Sequence, residues 1–418
     1  MLVYLSRKLQ SYKTVIQNTG YLLIIEIIRL ALPFVALPYV IRTIGAEKYG
    51  TIVFTQTIIQ YFVILINFGL DISAVKEVSV NRDNKKLLNE IVSSVLIIKT
   101  ILWVVSLLIL LVGIITIPFW RDHALLFFLV FLTCLSELLF PVWFFQGIEK
   151  MKYLPIVRTC SILFYTITVF IFVKSPADYV WVAFLQSIGS ILSGIIAFFL
   201  LLRLEKVKLL FPKRRMIRRL FIESIPFFIS RVSNVLNLNM AKTVSGIFFT
   251  MDAVAAFDLA QRIAQVSLVP AQMLNQAVYP HIAKTQNRKF ANNFLYCNIT
   301  IAFLVALIVY FLAPFVVYYF AGNTMSEAIT LLRILTLFIF CGCITTYLGT
   351  PVLVSFGYPK PFNMSVILST IILLLLYIVI YTFHLFSIEY FALTLFVTEL
   401  AILFYRLYYC FHYKIFKL

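Results

Sequence analysis

The sequence runs NFLYCNITIAFLVALIVYFLAPFVVYY from residue 293 to residue 319 without one charged side chain. A helix that crosses the hydrocarbon core of a bilayer needs about 20 apolar residues, and this run is longer. Comparable runs recur along the chain, and we predict twelve transmembrane helices from them. Their approximate spans are 18–41, 51–73, 94–118, 124–146, 155–173, 179–202, 221–247, 253–279, 293–319, 328–350, 362–383 and 388–410.

The composition agrees with a membrane protein and disfavours other classes. Of the 418 residues 62% are hydrophobic and 12% are charged, whereas soluble domains average about 25% charged residues. The net charge of +18 is spread between the apolar runs, which argues against a nucleic-acid-binding face. Phosphate-loop, zinc-protease and serine-hydrolase motifs do not occur. Cys341 and Cys343 have no His neighbours. We therefore predict no enzyme activity, no cofactor and no metal site.

Lysine and arginine residues are distributed unequally between the two sides of the predicted helices. The termini and the loops after even-numbered helices hold 25 of them, including the carboxyl-terminal tail with three, and the opposite loops hold 4. This excess predicts a multi-pass protein with both termini in the cytoplasm. The richest loop, 203–220, is expected to contact lipid headgroups. It divides the chain into an amino-terminal lobe, 1–202, and a carboxyl-terminal lobe, 221–418.

The two halves of the chain resemble each other. Moving one half over the other by 205 residues aligns Gln56 with Gln261 and Asn67 with Gln272, both pairs inside apolar runs. Each half has six predicted helices and starts on the same side of the membrane. The sequence thus predicts two parallel six-helix repeats with the substrate path between them.

Polar side chains follow one face of several predicted helices. Gln56, Gln60 and Asn67 fall within roughly 40° of one another at 100° per residue. A charge at the bilayer centre costs about 2.5–3.5 kcal/mol, so such groups should face a wet cavity or a partner. Charges without an acidic neighbour at helical spacing are mainly cationic, which favours an anionic substrate such as a diphosphate. The predicted substrate-binding residues are Arg29, Arg231, Asn234, Lys242, Arg262, Arg333, Gln56, Gln60 and Gln265, and the predicted ion-coupling residues are Asp71, Asp258 and Glu26.

Several of these charged residues have a structural interpretation as well. Asp258 and Arg262 lie four residues apart, so an ion pair that locks the bundle is an equally good interpretation. The same alternative applies to the i,i+3 pair formed by residues 26 and 29. Glu137 and Glu399 are better interpreted as hydrogen-bonded structural carboxyls than as proton carriers.

Four short motifs resemble a known family of membrane proteins. They are LPYVIRTIGAEKYG at 37–50, FGLD at 68–71, PVWFFQGIEKM at 141–151 and YPHI at 279–282. In these motifs the sequence resembles bacterial O-antigen flippases, which form the polysaccharide-transporter branch of the multidrug, oligosaccharidyl-lipid and polysaccharide exporter superfamily.

The resemblance implies an all-α, V-shaped transporter with two lobes in the bacterial inner membrane. It implies a role in lipopolysaccharide biosynthesis, in which an undecaprenyl-diphosphate-linked oligosaccharide moves from the cytoplasmic to the periplasmic leaflet by alternating access coupled to an ion gradient. Other polysaccharide assembly proteins are implied as partners. A multidrug or organic-cation antiporter on the same fold remains an alternative. A membrane-embedded polysaccharide polymerase is a third, which the short outer loops disfavour.

Overall fold

A computed structural model describes residues 32–416 of the chain, and this part contains helices and no strand. A three-residue 3₁₀ turn, Pro176–Asp178, precedes α9, and a π-helical segment, Leu348–Val354, follows α14. The α-helices are α1 Leu32–Ile44, α2 Ala46–Asn67, α3 Leu70–Val80, α4 Lys85–Thr116, α5 Pro118–Asp122, α6 Ala124–Leu139, α7 Val142–Gly147, α8 Tyr153–Phe172, α9 Tyr179–Arg203, α10 Arg214–Phe248, α11 Met251–Ser267, α12 Val269–Thr285, α13 Arg288–Ala321, α14 Glu327–Tyr347, α15 Pro359–Thr382 and α16 Ile388–His412.

The apolar helices make this chain a multi-pass membrane protein. Within residues 32–416, nine helical spans are long and apolar enough to cross a bilayer, and α1 is a shorter apolar helix. The predicted spans 221–247 and 253–279 are also helical, as α10 and as α11 with α12. These helices carry many polar side chains, so hydropathy does not count them as membrane spans. The all-α class is therefore confirmed, while the total of twelve helices stays a prediction.

Helix boundaries recur along the chain as the predicted repeat requires. Ala46 begins α2 and Met251 begins α11, a distance of 205 residues, and Val80 and Thr285 end the paired helices that follow at the same spacing. Lys85 and Arg288 begin the next long helices 203 residues apart. The helix order therefore repeats at the offset that aligns Gln56 with Gln261.

Contacts divide the described residues into two compact units. The first unit contains 32–44 and 59–229, and the second contains 45–58 and 230–416. The start of α2 thus belongs to the second unit, and the boundary near residue 230 falls inside α10. The helix α10 also begins at Arg214, within the predicted linker 203–220. The lobes 1–202 and 221–418 remain a prediction from the charge pattern.

The break between α2 and α3 depends on a glycine in the first unit. Gly69 has a φ of 69°, in the left-handed region that other residues rarely adopt. A Cβ atom there would lie 2.7 Å from the Phe227 Cβ and from the Phe228 amide nitrogen. The ring of Phe68 stacks on the rings of Phe221 and Phe228 with centroids 4.5 and 4.6 Å apart. The FGLD motif therefore ends α2 at Asn67, a half-buried polar position considered below.

In the second unit, the start of α2 packs very closely on α10 and α11. A Cβ atom at Gly50 would lie 1.8 Å from the Met251 carbonyl oxygen, and one at Gly246 would lie 2.0 Å from the Phe54 ring. Because these two positions have no side chain, the helix backbones can approach each other. This contact brings Tyr49 to the charged face of α11.

Candidate functional site

A buried carboxylate with three polar partners lies in the second unit. We call Asp258, Lys242, Arg262 and Tyr49 the Asp258 cluster. Arg262 Nε donates to Asp258 Oδ2 at 2.5 Å, Lys242 Nζ donates to Oδ1 at 3.3 Å, and the Tyr49 hydroxyl donates to Oδ2 at 2.6 Å. The Asp258 side chain is 1% exposed, the Lys242 side chain 15% and the Arg262 side chain 41%. The cluster holds two cations and one anion and is open to its surroundings on the Arg262 side.

Three different helices supply this cluster. Asp258 and Arg262 occupy successive turns of α11, while Lys242 comes from α10 and Tyr49 from α2. Alanines at positions 253, 255, 256, 260 and 264 are buried and let neighbouring helices pack closely on α11. Gln261 Nε2 donates to the Leu238 carbonyl at 2.8 Å, which ties α11 to α10 beside the cluster. The charged groups therefore lie on a fixed helical framework.

The cluster corrects one expectation from the sequence and agrees with another. Lys242 has no acidic residue at helical spacing, but the interpretation of it as an unpaired cation is wrong, because Asp258 pairs with it from the next helix. Helical spacing could not show this contact, since the partner is sixteen residues away and on another helix. The expected pair of Asp258 with Arg262 does form. The roles of these residues in substrate binding and ion coupling stay predictions.

Most of the other predicted site residues do not contact the Asp258 carboxylate in the described part of the chain. Arg333 is exposed on α14, with its guanidinium 5.2 Å from the centre of the Tyr310 ring. Gln60, Arg231, Asn234 and Gln265 are also exposed, and Gln56 is half-buried. Glu26 and Arg29 lie outside residues 32–416.

A second buried cluster, in the first unit, centres on a residue that sequence analysis did not select. Lys99 is 2% exposed in the middle of α4. Its Nζ donates to Asn67 Oδ1 at 2.8 Å and to the Glu137 carbonyl oxygen at 2.9 Å. Asn67 Nδ2 donates to Glu137 Oε2 at 3.3 Å, and Asp71 acts electrostatically on the lysine. Glu137 is hydrogen-bonded, as expected, while its structural role stays a prediction. Lys99 could have been found as the one charge in the apolar run 94–118.

A third cluster, also in the second unit, contains an arginine that the charge count assigns to the carboxyl-terminal tail. Arg406 instead lies within α16 and is 6% exposed. Its Nη1 donates to the Thr345 carbonyl at 2.7 Å, and its Nε donates to Ser365 Oγ at 3.0 Å. The Thr345 hydroxyl donates to Glu399. Glu399 is therefore hydrogen-bonded, as expected, while its structural role stays a prediction. Arg406 lies in a helix and not in the carboxyl-terminal tail with which the charge count grouped it.

This third cluster lines a cavity of about 590 Å³, whose walls come from α12, α14, α15, α16 and the π-helical segment. Pro351 lies in that segment and lacks an amide hydrogen, which disrupts regular α-helical bonding there. A Cβ atom at Gly349 would lie 2.9 Å from both Arg406 Nη1 and the Phe362 ring, so a larger residue would displace these side chains. The irregular segment therefore shapes one wall of the cavity.

Comparisons with known proteins agree with this fold. The model of the family described as polysaccharide biosynthesis protein matches residues 15–286, which include all four motifs. A protein of Escherichia coli K12 named as a candidate O-antigen transporter is 26% identical over 366 residues, which cover 86% of this chain and 88% of that protein. A Shigella dysenteriae protein with the same name is 26% identical over 351 residues, 82% of this chain and 87% of that protein.

Two solved structures share the arrangement of helices. The lipid II flippase MurJ in an inward closed conformation has a TM-score of 0.74 at 14% identity, with 94% of this chain and 87% of that chain covered. An inward-facing multidrug resistance MATE family transporter of the MOP superfamily has a TM-score of 0.72 at 14% identity, with 92% and 94% covered. At this identity the likeness concerns the fold alone.

Proposed function

The chain belongs to the polysaccharide biosynthesis protein family, and from that premise we propose that it is a flippase for an undecaprenyl-diphosphate-linked O-antigen or related polysaccharide repeat unit. It would carry this lipid from the cytoplasmic to the periplasmic leaflet of the bacterial inner membrane. The names of the Escherichia coli and Shigella dysenteriae relatives support a transport role of this kind. Membrane lipids surround the protein, and other polysaccharide assembly proteins would supply and consume its substrate.

The excess of positive charge in the Asp258 cluster is the observation that carries this proposal. Within the cluster one carboxylate contacts two cations, so positive groups outnumber negative groups by two to one. Arginine presents a planar fork of donors that fits phosphate oxygens, and the Arg262 side chain is the most exposed of the three charged groups. A diphosphate that approaches Arg262 would therefore meet a favourable field in a medium where Coulomb attraction is strong.

Asp258 also gives the proposed cycle a place for coupling to an ion gradient. In the empty protein its carboxylate neutralises one of the two cations, which lowers the cost of holding them inside the membrane. A proton or metal cation that bound Asp258 would weaken its hold on Lys242 and Arg262 and leave both cations for an anionic substrate. Alternating access would follow from such an exchange of partners.

An organic-cation antiporter is the second candidate, because the arrangement of helices is also that of a multidrug MATE transporter. The charge of the Asp258 cluster opposes it, since a net positive site repels a cation. A deletion strain separates the two functions. A flippase predicts accumulation of the lipid-linked repeat unit in the cytoplasmic leaflet and unchanged drug sensitivity, whereas an antiporter predicts the reverse.

The residue-level test replaces Arg262 by Ala and by Lys in that deletion strain. We expect Arg262→Ala to reduce surface polysaccharide about tenfold or more, because a hydrogen bond to a charged group contributes about 1.5–3 kcal/mol. Arg262→Lys should retain part of the activity, because lysine keeps the positive charge but lacks the planar set of N–H donors of the guanidinium. Lys284→Ala, at an exposed position on α12, is the control. Full activity of both Arg262 variants at equal membrane abundance would refute the assignment.

A further inference from the structure

The cavity beside Arg406 is separate from the Asp258 cluster, although both lie in the second unit. Fourteen residues separate Asp258 from Gln272, the first cavity residue on α12, which corresponds to about 20 Å of helix. The cavity volume of about 590 Å³ lies within the range of small-molecule sites, roughly 300–1,000 Å³. On the predicted orientation the cavity lies toward the cytoplasmic end of the helices, where a lipid-linked sugar would enter.

One face of α12 presents polar groups to this cavity. Gln272, Gln276 and Tyr279 follow each other at intervals of four and three residues and line the same wall. Among residues 32–416 their side chains have no hydrogen-bond partner. Two amides and a phenol therefore offer donors and acceptors to a ligand.

Hydrogen bonds between the helices hold the walls of the cavity in place. Asn275 Nδ2 donates to Thr346 Oγ1 at 3.1 Å, and Asn298 Nδ2 donates to Asn275 Oδ1 at 2.8 Å. Arg406 ties α16 to α14 and α15 through the two bonds to Thr345 and Ser365. These contacts hold the helices that carry the polar groups in place before a ligand arrives, which reduces the entropy lost on binding.

The charge of the cavity distinguishes it from the Asp258 cluster. Glu399 and Arg406 both line it, so the one negative charge is balanced by one positive charge. The arginine is already engaged by a carbonyl and a hydroxyl and lies 4.8 Å from the centre of the Phe362 ring. A diphosphate or an organic cation would gain little net attraction here. A neutral ligand with many hydroxyl groups fits amides, hydroxyls and one carboxylate acceptor better.

We propose that this cavity binds a sugar ring of the substrate and so contributes to the choice of repeat unit, while the Asp258 cluster holds the diphosphate. The inference rests on the proposed flippase function and adds a second subsite to it. Gln272, Gln276, Tyr279 and Glu399 would bond to the sugar hydroxyls, and Arg406 would act as a positioning residue. A sugar that does not match these donors and acceptors would form fewer hydrogen bonds and bind less tightly.

Two lipid probes and two conservative variants test the inference. The probes are the lipid-linked oligosaccharide extracted from the deletion strain and undecaprenyl diphosphate without sugar. Their affinities would be measured for purified protein in lipid nanodiscs. We expect Gln276→Met and Tyr279→Phe each to weaken binding of the oligosaccharide lipid about fivefold, as for loss of one neutral hydrogen bond. Binding of undecaprenyl diphosphate should not change. Tyr296→Phe, at an exposed position on α13, is the matched control.

The outcomes separate this inference from the function on which it rests. Wild-type protein that binds neither lipid would refute the flippase proposal. Wild-type protein that binds both lipids with equal affinity, or variants that bind both as the wild type does, would refute the sugar subsite alone. An equal loss of affinity for both lipids would also refute it, because the sugar-free lipid has no group for the cavity. Arg262→Ala should weaken binding of both probes, which marks the diphosphate subsite.

Discussion

The clusters around Lys99 and around Asp258 have opposite polarity. In the first unit a cation, Lys99, lies at the centre and is held by Asn67 and the Glu137 carbonyl. In the second unit an anion, Asp258, lies at the centre and is held by two cations and a phenol. Lys99 is fully enclosed, whereas Arg262 at the edge of the second cluster is 41% exposed. An enclosed and satisfied cation stabilises a fold, while a partly exposed and positively charged cluster can exchange partners with a ligand.

The largest effect should come from removing the central anion. Asp258→Ala leaves Lys242 and Arg262 facing each other inside the second unit, and breaking a buried ion pair costs about 3–5 kcal/mol. We expect a clear fall in thermal stability in detergent and loss of polysaccharide export. The double variant Asp258→Ala with Lys242→Met should recover much of the stability, because it removes the unpaired lysine, without recovering export. Normal export by either variant would show that the cluster is not part of the transport path.

The sequence predicts some features of these clusters and not others. The apolar runs and the 205-residue repeat could be predicted because they depend on local hydropathy and on residue spacing. The pair of Asp258 with Arg262 could be predicted for the same reason, since both lie on one helix. The contact of Lys242 with Asp258 could not, because it joins α10 and α11, which pack on the start of α2 at Gly246 and at Gly50 respectively.

Arg406, a buried arginine near a predicted helix end, was harder to interpret. Arg406 lies only a few residues before the end of α16, so its charge was counted with the tail. Its burial depends on Thr345, Ser365 and the missing side chain of Gly349, which are 41 to 61 residues away in sequence. No periodic pattern in the sequence of α16 contains that information. The cavity proposed for the sugar was therefore visible only after the helices had been placed together.

The second-largest effect should come from neutralising the enclosed cation. Lys99→Met keeps the length of the side chain but leaves Asn67 Oδ1 and the Glu137 carbonyl without their donor. Losing such a buried bond costs about 1–3 kcal/mol, so the midpoint of thermal unfolding should fall by a few degrees. Export per molecule of folded protein should stay close to that of the wild type.

This result would separate the two clusters by function. The control is Lys86→Met, which replaces an exposed lysine near the start of the same helix. A Lys99→Met protein of normal stability that does not export polysaccharide would overturn the structural assignment of the first cluster. It would also place a functional cation in the first unit.

The smallest effect should come from the phenol that completes the Asp258 cluster. Tyr49→Phe removes one hydroxyl, whose bond to Asp258 Oδ2 is 2.6 Å long, and keeps the packing of the ring. One hydrogen bond to a charged group contributes about 1.5–3 kcal/mol to stability. Because the two cations still stabilise the carboxylate, we expect the loss of folding stability to lie at the low end of this range. Because the carboxylate then depends more on the cations, binding of undecaprenyl diphosphate at Arg262 should weaken about two- to fivefold, a loss of about 0.4–1 kcal/mol. Tyr296→Phe again serves as the control, and an unchanged affinity of Tyr49→Phe would show that the carboxylate and the substrate do not compete for Arg262.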